Sequence, residues 1–345
     1  MYKQFPKRNI LATITALVVA LHGGAVLAQE KPVTLKLAHW VPPTHVLAAG
    51  SLAQWMKSVE AASGGSIKFM VFPAGQLGKP TDHYDLAKDG IADIGWANPG
   101  MSAGRFPVFG LAQLPMLVGD SRGGSKAVTE WYRGYADKEM GDVKFCLAHM
   151  MYGSMIHSKE KVVHPADLKG MKIRPSSSAE ATLIRLAGGS PIPGANPQAR
   201  EMIDRGVADG TTGVPASQIA FGVDKAVKYH LAVQISQPTW ALVMNKAKYA
   251  SLSARQKKAI DDNCTPDAAY KFAEPLYNAE HKGVAELQKH NTVTMPTPAL
   301  NAEWNLLAAD VKTEWAREVA ATGTDANVAY DSFMALVNKY GAQIK

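Results

Sequence analysis

The sequence predicts an α/β protein with two lobes, from three observations. Its 345 residues exceed what one typical domain needs. Strand and helix patterns alternate as β-α-β-α-β over residues 33–97, which is typical of a parallel sheet with helical crossovers. Further strand patterns return in the middle of the chain, and residues 253–340 are almost entirely helical in pattern. We therefore expect the chain to cross between its lobes several times.

The first five elements follow from periodicity and from residues that end helices or strands. Apolar residues alternate with polar ones in two segments, which predicts strands. Thr44 can cap a helix whose apolar face includes Leu52 and Val59, and Gly64 ends it. The predicted elements here are, in order, a strand over 33–37, a helix from Thr44 to Gly64, a strand over 67–71, a helix over 80–89 and a buried strand over 91–97.

The later elements are predicted in the same way, with proline and glycine marking their ends. In order, they are an apolar connector over 106–116, a helix over 124–139, strands over 143–150 and 171–174, helices over 178–186 and 197–205, strands over 231–235 and 240–244, and helices over 253–340 with interruptions near Pro266, Pro275 and 292–298.

The N-terminus has the three parts of a secretory signal. Lys3, Lys7 and Arg8 form a basic start, residues 10–21 are mostly apolar, and a small-residue site allows cleavage after Ala28. The apolar run is shorter than the ~20 residues that a membrane-spanning helix needs. We expect residues 1–28 to be removed and the protein to be exported.

The charge pattern argues against nucleic acid as a partner. The full chain has 37 Lys and Arg, 30 Asp and Glu and a formal charge of +7. Loss of the signal removes three basic residues, and those that remain are dispersed rather than clustered in a basic stripe. Cys146 and Cys264 leave two alternatives open, a disulfide, which an oxidising compartment permits, or two buried thiols; we favour the thiols. We expect no metal site and no cofactor.

Ligands of α/β lobes bind at the carboxyl ends of strands. That rule indicates the segments that follow the predicted strands as candidate ligand contacts. The residues there are His39, Trp40, Trp96, Asn98, Tyr152 and Arg174.

Five segments together resemble the periplasmic solute-binding proteins of TRAP transporters, of the DctP type. Each is short, but their order and spacing match over essentially residues 33–340. They are 72–78 (FPAGQLG), 88–94 (KDGIADI), 114–117 (LPML), 167–174 (DLKGMKIR) and 206–210 (GVADG) before Pro215.

The resemblance implies a two-lobed solute-binding fold with a cleft between the lobes and a long C-terminal helix that spans both. We place lobe one at 31–152 plus 240–278 and lobe two at 153–239 plus 279–345. It also implies a small organic acid as ligand, a membrane permease as partner, and Arg174 as the residue that pairs with the ligand carboxylate. A guanidinium matches a carboxylate bidentately. We expect a monomer.

Departures from the family pattern bear on the ligand. Many members have a second arginine where Met155 stands, a Phe where Asn196 stands, and an Asn near Gly213. One fewer positive charge favours a monocarboxylate, because a second carboxylate would be desolvated and unpaired.

Aromatic residues near the predicted cleft favour an aromatic or bulky apolar acid, since indole and phenol rings offer flat faces for stacking. Polar residues there can donate hydrogen bonds to the ligand, or serve in turns. The aromatic or apolar candidates are Trp40, Trp96, Tyr152, Met155, Phe221 and Trp240, and the polar ones are His39, Asn98, Ser176, Asn196, Thr211 and Thr212.

Three alternatives remain. The first is a binding protein for a C4-dicarboxylate or a 2-oxo or hydroxy acid. The second is a sensor that presents its ligand to a receptor, which adjacent permease genes would argue against. The third is an exported enzyme with His39, His83 or His149 as a base beside Asp82, Asp85 or Asp93. No nucleophile elbow, zinc-binding HExxH or phosphate loop supports the enzyme.

Overall fold

A computed structural model describes residues 1–4 and 31–344, and the predicted export signal lies outside the described residues except for its first four positions. Residues from Pro32 onward form one compact unit. The strands are β1 Val33–Ala38, β2 Ile67–Phe72, β3 Ile94–Ala97, β4 Val143–Met150, β5 Met155–Ser158, β6 Lys172–Arg174, β7 Ser190–Pro191, β8 Gly210–Gly213, β9 Tyr229–Leu231, β10 Thr239–Asn245 and β11 Thr292–Thr294.

The strands form two sheets, one in each lobe. The first sheet has the order β2-β1-β3-β10-β4 and the second the order β11-β9-β5-β8-β6-β7. In the first sheet β1 is parallel to β2 and β3, as the β-α-β-α-β pattern predicts, while β10 is antiparallel to both of its neighbours. The chain thus passes from the first sheet to the second after β4, returns at β10, and leaves again before β11, so the expected crossings are confirmed.

The α-helices surround these sheets. They are α1 Ala53–Ala62, α2 His83–Lys88, α3 Ser121–Glu139, α4 Ser178–Leu186, α5 Ala199–Asp204, α6 Pro215–Ala220, α7 Lys246–Ser251, α8 Ala254–Asp262, α9 Pro266–His290, α10 Pro298–Ala320 and α11 Ala326–Lys339. A π-helical segment, Leu47–Leu52, leads into α1. Among the described residues, no helix combines the length and the apolar character that crossing a membrane requires.

Helix α9 links the two lobes. Its 25 residues give a length of about 37 Å at 1.5 Å per residue. Its first half packs into the core below the first sheet through Phe272 and Leu276, and its second half meets α6, where Glu280 accepts a hydrogen bond from the Ala216 amide. The predicted helix that spans both lobes is therefore present.

Some sequence-based boundaries are wrong. Pro275 was expected to interrupt the helix, yet α9 continues through it. A proline in a helix loses one hydrogen bond, and buried neighbours on both sides hold the segment helical here. The strand expected over 231–235 is β9, which ends at Leu231. Strands β5, β7, β8 and β11 were not predicted, because two to four residues are too few for a period to show.

The preference for free thiols is also wrong, since Cys146 and Cys264 form a disulfide with a Cα–Cα distance of 4.7 Å. The bond joins Cys146 in β4 to Cys264, which lies just before the start of α9. The pairing depends on the return of the chain across 118 residues, which spacing alone cannot reveal. It fixes the start of the lobe-spanning helix to the first sheet.

Candidate ligand-binding cleft

A cavity lies between the two lobes and is lined by residues of both. Its walls come from segments at the ends of strands, including those after β1 and β3 on one side and after β6 on the other. A wider, more open space adjoins it through Trp40, Met101 and Ser176 and is bordered by loops of both lobes.

Three tryptophans form one side of the cavity, which we call the indole wall: Trp40, Trp96 and Trp240. Trp96 and Trp240 are stacked with ring centroids 4.1 Å apart, and Trp40 stacks on Trp96 at 5.4 Å. Phe221 of the second lobe continues the stack beside Trp40 at 6.2 Å. The wall is an aromatic, apolar surface of the kind that suits an aromatic ligand.

The first sheet produces the wall through the pairing of its strands. Trp96 lies in β3 and Trp240 in the neighbouring β10, while Trp40 follows β1. The indole N–H of Trp96 donates to Nε2 of His149 at 2.9 Å. Nε2 is then an acceptor, so His149 is neutral, and burial lowers the pKa of His149 to about 3. The buried imidazole of His149 thus fixes the orientation of the Trp96 indole.

The opposite side is centred on the guanidinium of Arg174, which is 1% exposed. We call this residue and its hydrogen-bond partners the arginine pole. Nε donates to the Gly194 carbonyl at 3.0 Å. Nη1 donates to oxygens of four residues, namely Ser176, Asn196, Thr211 and Thr212.

The charge of Arg174 has no direct counterion. No carboxylate among the described residues forms an ion pair with it, and Nη2 has no hydrogen-bond partner there. Burial lowers the pKa of Arg174 to about 10, while the charge of Glu180 acts in the opposite direction. The residue thus remains a cation at neutral pH and presents an unpaired donor in the cleft.

A second layer of hydrogen bonds holds the arginine pole in place. The Thr211 hydroxyl donates to the Arg174 carbonyl at 3.1 Å, and the Ser176 hydroxyl donates to the Thr212 carbonyl at 2.8 Å. Behind them, Glu180 accepts from the Ser176 amide and from the Thr212 hydroxyl. Strands β6 and β8 are direct neighbours, with Arg174 opposite Thr211, and this register brings the groups together.

Contacts between the lobes border the cavity. Nε2 of His45, in the segment after β1, lies 3.1 Å from the hydroxyl of Ser217 in α6. The Ser178 hydroxyl of α4 donates to the Gly100 carbonyl at 3.0 Å. Burial and the nearby His39 lower the pKa of His45 to about 4, so it is neutral near pH 7. Within the described part of the chain, no group of three or more His, Cys, Asp and Glu side chains could hold a metal ion.

The candidate residues from the sequence separate into two groups. Eight line the cavity, namely Trp40, Trp96, Asn98, Arg174, Ser176, Asn196, Phe221 and Trp240. Five do not, namely His39, Tyr152, Met155, Thr211 and Thr212.

Each of the five has another location. Thr211 and Thr212 are fully buried and support Arg174 from behind. Met155 is fully buried opposite Gly213 in the second sheet. Tyr152 packs edge-on against His281 of α9 and lines a separate groove. His39 is buried beside His83.

Sequence reasoning missed other cavity residues. His45, Met101, Met151, Val214 and Ser217 all line the cavity. Ser217 lies in α6, and Pro215 at the first position of that helix is a typical helix start. That signal could have located the helix, but not its approach to His45.

The family of the chain follows from comparison with known proteins. The family model described as "Bacterial extracellular solute-binding protein, family 7" (DctP) matches residues 37–318. A curated relative from Comamonas testosteroni, named as outer membrane transporter protein TsaT, is 24% identical over 329 residues, which is 93% of this chain and 95% of that protein.

Two solved structures are similar over almost their whole length. A TRAP solute-binding protein from Rhodoferax ferrireducens T118, in complex with copurified benzoate, has a TM-score of 0.85 and 27% identity, and the match covers 90% of this chain and 98% of that one. A marine metagenome TRAP solute-binding protein specific for aromatic acid ligands, in complex with 3-hydroxybenzoate, has the same score and identity and covers 90% and 99%.

The family match and the structural relatives agree with the arrangement of the two lobes and the cleft. Proteins of this group are binding proteins rather than enzymes, which removes the alternative of an exported enzyme. They are periplasmic, and they bind small organic acids and work with membrane permease components. This chain belongs to family 7 of the bacterial extracellular solute-binding proteins, the DctP family of TRAP transporters.

Proposed function

We propose that the cleft binds an aromatic monocarboxylate, with the carboxylate on Arg174 and the ring against the indole wall. The observation that carries this proposal is a buried cation that forms no direct ion pair within the described residues, placed across a small cavity from stacked indole rings. A carboxylate would pair with the unpartnered Nη2 and relieve the cost of burying the charge. An aromatic ring would contact this aromatic, apolar surface.

The ligands of the two structural relatives support the aromatic class, since benzoate and 3-hydroxybenzoate are the molecules bound in those proteins. Within the described residues that line the cavity, Arg174 alone carries a formal charge at neutral pH. Where many family members have a second arginine, Met155 is buried away from the cavity. A dicarboxylate would therefore have no partner for its second charge.

We also propose the setting in which this binding occurs. Residues 1–28 direct export, the mature protein is a periplasmic monomer, and the TRAP membrane permease subunits receive the ligand. The lobe boundaries expected from the sequence, 31–152 plus 240–278 and 153–239 plus 279–345, belong to the same proposal. We expect adjacent permease genes, which would favour transport over a sensing role.

A ligand panel tests the proposed function. Native mass spectrometry of the freshly purified protein would identify any copurified acid, and calorimetric titration would compare benzoate and 3-hydroxybenzoate with succinate and malate. We expect the aromatic acids to bind at least about a hundredfold more tightly, because a desolvated, unpaired carboxylate is costly. Tight binding of succinate or malate with no response to the aromatic acids would contradict the proposal.

A further inference from the structure

Glu180 is a buried carboxylate whose charge acts on Arg174, although it does not line the cavity. It lies in the first turn of α4 and has no exposed surface. One oxygen, Oε2, accepts from the Ser176 amide at 2.5 Å and from the Thr212 hydroxyl. The other, Oε1, is buried without a partner among the described residues. A single acceptor oxygen would be enough for these two hydrogen bonds, so they do not by themselves explain a buried carboxylate.

The two buried charges are linked through shared neighbours. The amide of Ser176 donates a hydrogen bond to Glu180, while its hydroxyl accepts one from Nη1 of Arg174 at 3.1 Å. The hydroxyl of Thr212 donates a hydrogen bond to Glu180, while its carbonyl accepts one from the same Nη1 at 3.3 Å. Glu180 is thus separated from the guanidinium by one residue on each path, and its negative charge acts on Arg174.

We propose that Glu180 is a specificity-determining residue, a buried negative charge behind Arg174 that restricts the cleft to ligands with a single carboxylate. This inference rests on the proposed function and adds a residue to it. In the empty cleft, Arg174 and Glu180 balance each other. One bound carboxylate brings the buried site to a net charge of −1, and a second would bring it to −2.

The physical reason is that like charges repel strongly when water is excluded. Misplaced like charges in an interface cost several kcal/mol. A monocarboxylate meets this repulsion once, offset by its direct contact with Arg174. A dicarboxylate meets it twice and has only one cation to offset it. Removal of the Glu180 charge should therefore help a dicarboxylate more than a monocarboxylate.

The test compares two ligands of the same ring, benzoate and isophthalate, in four proteins. Glu180→Gln keeps the shape and an acceptor oxygen but removes the charge. Glu180→Asp keeps the charge but shortens the side chain. Glu274→Gln removes a charge from an exposed position of α9 and serves as the surface control. Calorimetry, with competition titration for weak ligands, gives the two dissociation constants of each protein, and thermal melting reports its folding.

We expect the wild type and Glu274→Gln to prefer benzoate by the same factor. In Glu180→Gln that preference should fall by about tenfold, since 1.4 kcal/mol of removed repulsion changes a ratio tenfold. In Glu180→Asp both ligands should bind more weakly with the wild-type preference retained.

Three outcomes would overturn the role of Glu180: an unchanged preference in Glu180→Gln, an equal shift in Glu180→Asp, or a Glu180→Gln protein that does not fold. The first two would show that shape and not charge matters, and the third would make the residue structural. Failure of the proposed function has a different signature, because the wild type would then bind benzoate no better than isophthalate or bind neither.

Discussion

The indole wall and the arginine pole face each other across one cavity, yet they are built in different ways. The wall consists of three rings on or beside adjacent strands of the first sheet, held by stacking and by one hydrogen bond, from Trp96 to His149. The pole is a single cation held by five hydrogen bonds, with a second layer behind it. The wall offers apolar contact area to a ligand, and the pole offers a charge in a fixed orientation.

This difference determines how each side should respond to change. Apolar contact is proportional to area and is not directional, so partial loss of the wall should weaken binding gradually. A buried charge pair depends on geometry and desolvation, so loss of the pole should remove binding almost entirely. The wall would select the class of ring, and the pole would decide whether an acid binds at all.

The largest expected effect is that of Arg174→Ala. Its loss should weaken binding of benzoate by at least about a hundredfold, because one charge of a buried, hydrogen-bonded pair is left alone. The free protein should stay folded but melt at a lower temperature, because the buried Glu180 loses the cation that balances it while a desolvated guanidinium is also removed. Isothermal calorimetry and thermal melting measure the two effects.

A matched control for this substitution is Arg185→Ala, which removes a half-exposed arginine of α4 that pairs with Glu314 on the surface. Exposed ion pairs contribute little, so its affinity for benzoate should equal that of the wild type. If Arg174→Ala unfolds the protein, or if both variants weaken binding alike, the directional role of the pole is refuted.

A smaller effect is expected from Trp240→Leu, which truncates the wall while keeping the site apolar. It should weaken benzoate binding by about tenfold, because an aromatic contact contributes up to about 1.5 kcal/mol beyond its area. Binding of acetate, which has a carboxylate but no ring, should hardly change. Calorimetric titration with both acids gives the comparison.

Trp131→Leu is the control for the wall, since Trp131 packs against Phe333 and Tyr132 away from the cavity. It should lower the melting temperature without changing the affinity for benzoate. An equal loss for acetate and benzoate in Trp240→Leu would mean that the wall shapes the pole rather than contacting a ring.

The wall was largely predictable from the sequence, and the reason is local. Trp96 lies in a strand whose pattern was recognised and Trp40 follows another, so the rule of strand ends located both. Trp240 was a candidate as an aromatic residue near the predicted cleft. The parallel part of the first sheet was predicted for the same reason. Tyr152 fulfils the same rule but faces α9, because the direction of its side chain depends on packing that the pattern does not contain.

Most members of the pole were candidates from the sequence, but their roles were not predictable. Family resemblance pointed to Arg174, but the roles of Thr211 and Thr212 behind it, and of Glu180, depend on the pairing of β6 with β8. Strand β6 was predicted, but β8 has four residues, too few to show a period. The disulfide and the contact of His45 with Ser217 were out of reach for a related reason, since both join segments more than a hundred residues apart.

The smallest expected effect concerns the helix that joins the two sides. Glu280 in α9 is fully buried and accepts a hydrogen bond from Ala216 beside the cavity residue Ser217. Burial raises the pKa of Glu280 from 4.5 to about 8, against hydrogen bonds from Ala216 and Ser217. A raised carboxyl pKa means that the folded protein holds a proton that the unfolded chain has lost between these two values.

The direction of the pH effect follows from this proton. The contribution of Glu280 to stability is fully present below pH 4.5 and is lost as the pH rises through about 8. Glu280→Gln, which cannot ionise, should therefore unfold with a free energy about 1 kcal/mol or more above that of the wild type at pH 9, and equal to it near pH 4. Urea unfolding at both pH values measures the difference.

The exposed Glu274→Gln, six residues earlier on the same helix, should show no such pH-dependent gain. If Glu280→Gln destabilises the protein equally at both pH values, its ionisation is irrelevant and only its hydrogen bonds matter. If the gain appears while benzoate affinity stays unchanged, the helix supports both sides of the cavity without favouring either. That result would confine ligand selection to the wall and the pole themselves, as their different construction implies.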